Sequence, residues 1–286
     1  MKFTSPIKII FRAFKREIWS AYLFLWRRKN SKYGNIHMGL ESAKCIKIPK
    51  RTTKVYVRQT TSDMARIFEY LSGIYFRDSY LHEKLKSEKP TVLIDLGANI
   101  GLSSLALAEE FQSIKNVIAI EAEEKNFEIL KSNFELWGGK WTPVNAIVSS
   151  DNALQMKSTK SLAELTGKNS ASGTFRFIEG DAGGSDSSVA KVIALSDLFE
   201  QISPQEKVIV KIDIEGSEEI LFKRNTQWIE RCLFIACELH DRFDPVMLYS
   251  SKNMINALAA SDFAFVASND VLYCYNRALL FTENTL

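Results

Sequence analysis

The chain is poor in the residues that build metal sites and disulfide bridges. Its 286 residues include four cysteines and three histidines, and no two cysteines form a Cys-x-x-Cys pair. This spacing argues against a disulfide framework, and so few cysteines and histidines argue against a zinc site. The composition therefore predicts reduced thiols in a cytoplasmic protein.

The sequence also lacks a long apolar run. The longest near-apolar stretch, Ile18 to Trp26, is too short to span a bilayer, and no small-residue cleavage site of a signal peptide follows it. Residues 1–32 contain nine Lys and Arg against one acid, so the net charge of +3 for the whole chain hides a formal −5 over the remainder. An acidic core opposes phosphate binding, and no Asn-Pro-Pro-Tyr motif is present, so we expect no nucleic-acid partner.

The first 30 residues have the pattern of a basic amphipathic helix. Apolar residues recur at helical spacing from Ile7 to Leu25, and most Lys and Arg residues fall beside this stripe. With Trp19 and Trp26, such a helix can lie on an anionic membrane surface, peripherally at the inner face. It can equally pack on the rest of the chain or on a partner, and the sequence leaves both interpretations open.

The stretch Thr91 to Ser103, TVLIDLGANIGLS, organises the rest of the chain. An apolar run after Pro90 is typical of a strand buried on both faces, and it ends at Asp95. Gly97 and Gly101 then precede a helical pattern. Strand, glycine turn and helix place backbone N–H groups where open α/β sheets bind ligands. We expect glycine here because a Cβ would block a ligand lying against the backbone.

The glycine spacing and the next strand together indicate the class of cofactor. The dinucleotide pattern G-x-G-x-x-G is absent, because Asn99 stands where its second glycine would be. A Tyr-x-x-x-Lys pair, Tyr80 with Lys84, precedes the turn, which is the wrong order for a short-chain dehydrogenase. The next buried run ends in Glu121, whose carboxylate can accept hydrogen bonds from both ribose hydroxyls and would repel a 2′-phosphate.

Further acidic residues follow two later strand patterns. The run that ends at Ile212 leads to Asp213 and Glu215, and the next run ends with Glu238 and His240. Carboxylates this close resist simultaneous burial as ions. We therefore expect them to face a cation, a substrate hydroxyl or water.

In this order, the segments IDLGANIG, IAIEAEEKNFEILKSN, VKIDIEGSEEILF and CELH resemble the FkbM-type methyltransferases, a family of S-adenosylmethionine (SAM)-dependent O-methyltransferases of class I fold. The upstream VYVRQTTSDMARIFEYLSGIYF is similar to that family's lead-in, which typically carries R-x-G-T-S-D. Thr60 stands where the lead-in has Gly, and Ala122 stands where Pro is common, so the local turn shapes depart from the family's pattern. The resemblance covers roughly Tyr56 to Tyr275.

The resemblance implies roles for the residues at the strand ends. The glycine turn would line the methionine end of SAM, Glu121 would hold the ribose, and the third strand would lie near the adenine. Asp213 would meet the transferring methyl group. The predicted cofactor-binding residues are Asp95, Gly97, Ala98, Asn99, Gly101, Glu121, Ala122, Asn145, Ala146 and Asp213.

Methyl transfer to a hydroxyl requires alignment of the oxygen with the C–S bond and removal of its proton. A sugar hydroxyl is a weak acid, so a base or a metal ion is expected. His240, Asp213 and Glu215 are the candidate catalytic residues, and an unperturbed histidine has a suitable pKa. Alternatively, Asp213 with Glu215 and Glu238 would hold Mg²⁺ through hard oxygen ligands.

The predicted fold class is α/β, a Rossmann-like class I methyltransferase. Its sheet would have seven mostly parallel strands, with Trp141 to Val148 as the third, and would end in a β-hairpin. We divide the chain into a basic segment (1–50), a strand and helix region (51–89) and the methyltransferase domain (90–286). Residues 149–191 are predicted to form a long loop; loops near the carboxyl edge of a sheet often cover substrates, and a disordered segment is the alternative.

By resemblance, the acceptor is a hydroxyl group, either on a sugar of a glycan or glycolipid or on a small-molecule natural product. Two other functions remain as alternatives. One is an NAD-linked Rossmann oxidoreductase, which would share the strand, turn and ribose acid. The other is a non-catalytic, membrane-associated interaction protein, which would leave Asp95, Glu121 and Asp213 without a purpose.

Overall fold

The computed structural model describes ten stretches of the chain. The predicted amphipathic helix lies outside them, as does most of the predicted loop at 149–191. Within the described stretches, no helix is both long and apolar enough to cross a membrane. The described residues are 35–38, 41–48, 52–58, 63–72, 79–153, 156–158, 177–179, 191–241, 251–268 and 270–281.

The described residues contain strands of three to seven residues. In chain order they are β1 (Asn35–Met38), β2 (Glu41–Lys47), β3 (Lys54–Arg58), β4 (Val92–Leu96), β5 (Asn116–Glu121), β6 (Lys140–Asn145), β7 (Ile147–Ser149), β8 (Met156–Ser158), β9 (Phe177–Glu179), β10 (Val192–Ala194), β11 (Val208–Ile212), β12 (Cys232–Glu238), β13 (Phe263–Ser268) and β14 (Val271–Asn276).

Seven of these strands form one sheet in the order β13-β14-β12-β11-β4-β5-β6. All neighbours pair in parallel except β14, which runs antiparallel to β12 and β13. This mostly parallel sheet with its final hairpin confirms the predicted fold. The chain leaves β4 toward β5 on one side and later returns to β11 on the other, so β4 borders the point where open α/β sheets bind ligands.

Helices cover both faces of this sheet. Every residue of β4 is buried: Val92 and Ile94 pack into the hydrophobic layer on one face, and Leu93 packs into the layer on the other. Such two-sided burial is why the strand reads as a continuous apolar run. The helices are α1 (Asp63–Ser72), α2 (Tyr80–Ser87), α3 (Leu102–Glu110), α4 (Glu124–Trp137), α5 (Leu195–Glu200), α6 (Glu218–Leu221), α7 (Lys252–Ala259) and α8 (Arg277–Leu280), with a 3₁₀ helix at Gln227–Arg231.

A second, antiparallel sheet of β1, β2 and β3 packs against α3 and α4. The predicted boundary between residues 50 and 51 lies between β2 and β3, which pair with each other. The side chain of Asn133 on α4 ties this sheet to the large domain. Its Oδ1 accepts from the Tyr56 N–H at 2.6 Å, and its Nδ2 donates to the carbonyl of Ile100, in the glycine turn, at 2.8 Å.

The third predicted strand is divided in the structure. β6 ends at Asn145 and pairs with β5, whereas β7 begins at Ile147 and pairs in parallel with β10. Ala146 lies between them, and its N–H donates to the carbonyl of Glu121 at 3.3 Å. Residues 149–191, predicted as one loop, contain the strand pair β8 and β9.

Candidate active site

The glycine turn after β4 is held from two sides. The N–H groups of Gly97 and Ala98 donate to the carbonyl of Ile120, at 2.9 and 3.0 Å. Gly97 has φ +74°, and a Cβ built on it would lie 1.8 Å from the backbone oxygen of Asp213. The expected reason for glycine here was room for a ligand. The structure gives a different reason, because a side chain would collide with the end of β11.

Asp95 is buried beneath this turn and holds the start of α3. Its Oδ2 accepts hydrogen bonds from the hydroxyls of Ser103 and Ser104, both at 2.6 Å. The residue before the helix, Gly101, has no side chain to cap it, so the carboxylate on β4 and the two serines anchor the first turn instead. The Asp95 side chain is fully buried and is not part of the cavity lining described below.

Lys211 lies in the middle of the sheet, where a charged side chain is unexpected. Its Nζ is 3.1 Å from Asp95 Oδ1, 3.7 Å from Asp213 Oδ2, and donates to the carbonyl of Gly97 at 2.9 Å. Burial lowers the pKa of Lys211, but the charges of Asp95 and Asp213 outweigh burial and raise it. The lysine is therefore a fixed cation that joins the ends of β4 and β11.

Glu121, at the end of β5, receives backbone N–H groups on both carboxylate oxygens. Asn99 N donates to Oε2 at 2.9 Å, and Glu123 N donates to Oε1 at 3.0 Å. Burial raises the pKa of Glu121 despite these hydrogen bonds. Each carboxylate oxygen has two acceptor positions, so the group can also accept ribose hydroxyls. Asn99 itself adopts φ +52°, a left-handed conformation that asparagine tolerates better than most residues.

His240 is buried within a group of three carboxylates. Its Nδ1 is 3.0 Å from Glu218 Oε1, and its Nε2 is 3.4 Å from Glu215 Oε2 and 3.6 Å from Asp213 Oδ1. Burial lowers the pKa of His240, but hydrogen bonds to Glu215 and Glu218 and the charge of Asp213 raise it to about 11. The surrounding carboxylates thus favour the protonated form of His240.

The pKa of Asp213 moves the opposite way. Burial raises it, but the charges of Lys211, His240 and Arg66 outweigh burial and hold it below its ordinary value. Among the described residues, Asp213, Glu238 and His240 each place a possible metal-ligating atom within 4.8 Å of the others. This group differs from the predicted metal set, in which Glu215 took the place of the histidine.

An open cavity lies above the carboxyl ends of β4, β5 and β11, where open α/β sheets bind ligands. Eight predicted site residues line it, whereas Asp95, Gly101, Asn145, Glu238 and His240 do not. Asn145 instead donates from Nδ2 to the carbonyl of Glu121 at 3.0 Å. The eight lining residues are Gly97, Ala98, Asn99, Glu121, Ala122, Ala146, Asp213 and Glu215.

Residues that were not predicted also line the cavity, among them Arg66 and Asn126. Arg66 lies on α1, and Asn126 accepts from Arg58 Nη2 at 2.6 Å. No local motif distinguishes Arg66 from other surface arginines in the sequence. The lysine of VKIDIEG was a detectable signal, because a charge inside an otherwise apolar run demands a buried partner.

The known proteins most relevant to this site are methyltransferases. The chain is 26% identical over 161 residues to the hexuronic acid methyltransferase AglP of Haloferax volcanii, a match that covers 56% of this chain and 60% of that protein. The structure of this chain is also similar to a crystal structure of methyltransferase FkbM from Methylobacillus flagellatus KT. The two are 15% identical, the match covers 74% of this chain and 59% of that one, and the TM-score is 0.40. SAH-bound PaMTH1 of Podospora anserina matches with 12% identity, 74% and 87% coverage, and a TM-score of 0.35.

A family model gives the assignment. The model described as methyltransferase FkbM domain matches residues 95–265. The match starts at the buried aspartate of β4 and runs through the carboxylate group around His240 into the final hairpin. The chain therefore belongs to the FkbM family of SAM-dependent methyltransferases.

Proposed function

We propose that this protein transfers the methyl group of SAM to a hydroxyl group of a sugar, in a glycan or glycolipid or in a glycosylated natural product. The observation that carries the proposal is one cavity shared by the turn, Glu121 and the carboxylates that follow β11. The similarity to a hexuronic acid methyltransferase supports a sugar acceptor, although the match spans 60% of that relative.

The cofactor would bind along the turn and β5. Glu121 would accept the ribose hydroxyls, since its carboxylate is already aimed at the cavity by two N–H groups. Ala122 and Ala146 would contact the adenine, while Gly97, Ala98 and Asn99 would lie against the methionine part. Asp95 would support the site indirectly, because its carboxylate accepts hydrogen bonds from the first turn of the helix that follows the glycine turn.

The acceptor hydroxyl would approach from the side of Asp213 and Glu215. The sulfonium of SAM supplies an activated methyl group, so the protein has to align the hydroxyl and remove its proton. We assign the proton acceptor to Glu215, which lines the cavity next to His240. Glu215 has φ +55°, a conformation that costs a glutamate on the order of 1 kcal/mol or more. Backbone strain of this kind is often found at functional residues, which supports a role for the Glu215 carboxylate.

His240 would position this carboxylate. The surrounding carboxylates favour its protonated form, in which it donates toward Glu215 and Glu218 and does not serve as the base. Asp213, Glu238 and His240 would be the ligands if the reaction needed Mg²⁺. Methyl transfer that persists in EDTA is the expected result, and loss restored by Mg²⁺ would assign the three residues to a metal instead.

Titration calorimetry with S-adenosylhomocysteine, alongside NAD, tests the cofactor assignment. We expect micromolar binding of S-adenosylhomocysteine and none of NAD. Replacement of Glu121 by Ala should weaken binding by about tenfold or more, since it removes charge-assisted hydrogen bonds to the ribose. Glu124→Ala is the matched control, because Glu124 is exposed three residues further along. Binding of NAD instead would indicate the oxidoreductase, and binding of neither would indicate an interaction protein.

Transfer itself can be followed with tritiated SAM and sugar acceptors. We expect the Glu215→Gln variant to bind S-adenosylhomocysteine normally and to lose most of its turnover, because an amide cannot take the proton. Unchanged turnover in this variant would move the base to Asp213 or to His240.

A further inference from the structure

The charged groups that line the cavity are mostly acidic. Glu121, Glu123, Asp213 and Glu215 all border it. A carboxylate on a bound ligand would be repelled over most of this surface, because like charges a few ångströms apart disfavour each other. The methionine part of SAM carries a carboxylate, and an acidic sugar carries another. A cation at the cavity would offset this repulsion.

Of the described residues that line the cavity, two are cations, Arg66 and Lys211. Lys211 is committed to the protein itself: its side chain is 9% exposed, and its ammonium lies within 3.1 Å of Asp95 and donates to the carbonyl of Gly97. Arg66 also pairs within the protein, with Glu69 at 2.7 Å, but its side chain is more accessible, at 30% exposed. A ligand carboxylate therefore reaches Arg66 more readily than it reaches Lys211.

Arg66 is presented from a fixed helix. Asp63, at the start of α1, forms an ion pair of 2.7 Å with Arg58, and Tyr70, near its end, donates to Glu109 of α3 at 2.6 Å. Arg66 Nη1 donates to Glu69 at 2.7 Å, on the same helix. A guanidinium carries five N–H donors in a planar fork, so one arginine can bind two carboxylates at once.

We propose that Arg66 binds a carboxylate of a ligand at the edge of the cavity next to Asp213. The proposal rests on the methyltransferase function above and adds a binding residue from outside the region matched by the family model, residues 95–265. Two ligands offer this chemistry: the cofactor, through its methionine carboxylate, and the acceptor, if it is an acidic sugar. Either way α1 is part of the active site.

Calorimetry on the full chain distinguishes these sources. The variants are Arg66→Ala, Arg66→Lys and, as a matched control, Arg224→Ala, an exposed arginine paired with Asp151 away from the cavity. The probes are S-adenosylhomocysteine and 5′-methylthioadenosine, which has the same nucleoside without the amino acid. In a second set of titrations, S-adenosylhomocysteine is already bound, and the probes are methyl β-glucuronide and its neutral counterpart, methyl β-glucoside. Because the Arg66–Glu69 pair is partly buried, urea denaturation of each variant shows that it is folded before its affinities are compared.

If Arg66 binds the cofactor, Arg66→Ala lowers the affinity for S-adenosylhomocysteine by about tenfold or more and leaves the affinity for 5′-methylthioadenosine unchanged. If it binds the acceptor, only the glucuronide loses affinity. Arg66→Lys should recover part of the loss, because it keeps the charge without the fork. Unchanged affinity for both carboxylated probes overturns the inference. Failure of the unsubstituted protein to bind S-adenosylhomocysteine would instead refute the proposed function.

Discussion

Replacement of Gly97 by alanine gives a sharp test of how the turn is packed. The residue has φ +74°, and its new Cβ would lie 1.8 Å from the Asp213 oxygen, where real Cβ contacts stay beyond 3.0 Å. The backbone therefore has to move by about an ångström, since no side chain can rotate away. The left-handed conformation adds about 1 kcal/mol, and overpacking adds about 1–3 kcal/mol. We expect Gly97→Ala to lower the free energy of unfolding by about 3 kcal/mol.

Gly138 provides the matched control. It also has φ +74°, but nothing lies within 4 Å of a Cβ built there. Because its ψ is −175°, a backbone region almost restricted to glycine, Gly138→Ala should cost about 1–3 kcal/mol and leave S-adenosylhomocysteine binding intact. Urea denaturation gives both free energies, and calorimetry should show cofactor binding weakened by at least about tenfold in Gly97→Ala alone. Unchanged cofactor affinity in Gly97→Ala would refute the collision with Asp213.

Three further predictions concern charge. Lys211→Met should lower the free energy of unfolding by about 3–5 kcal/mol, because it leaves the Asp95 carboxylate buried without its cation. In urea denaturation, the double variant with Asp95→Asn should lose less of this free energy than Lys211→Met alone. An equal or greater loss would contradict the pairing of Lys211 with Asp95. The pKa of His240 lies above its ordinary value. The contribution of His240 to the free energy of unfolding is therefore complete below about pH 6.5 and declines as the pH rises toward the pKa of His240 in the folded protein. The stability advantage of the unsubstituted protein over His240→Gln should shrink from about pH 7 to pH 10, and a constant advantage in urea denaturation would contradict it. Finally, if residues 1–30 lie on membranes, the full chain should float with anionic liposomes more than a chain that starts at Ser31, and equal flotation would exclude that contact.

The large sheet could be predicted because its central strands are buried on both faces. The runs before Asp95 and Asp213 are almost purely apolar, and each ends at a residue that breaks the run. Local sequence alone was sufficient there. The division of the third strand at Ala146 was not visible, since it depends on the separate pairing of β6 with β5 and of β7 with β10.

The site was only partly predictable. Residues at strand ends, such as Glu121 and Asp213, are placed by topology and line the cavity. The surroundings that set their chemistry come from distant segments. Glu218 contacts His240 from the start of α6, and Arg66 reaches the cavity because α1 packs across α3. Contacts of this kind depend on tertiary packing, which no local pattern records.

The amide of Asn133 makes the small sheet and the glycine turn parts of one mechanical unit. It bonds Tyr56 in β3 and the carbonyl of Ile100 at once. The positions of β3 and of the glycine turn are therefore set by the same side chain, so the small sheet is part of the frame that holds the turn.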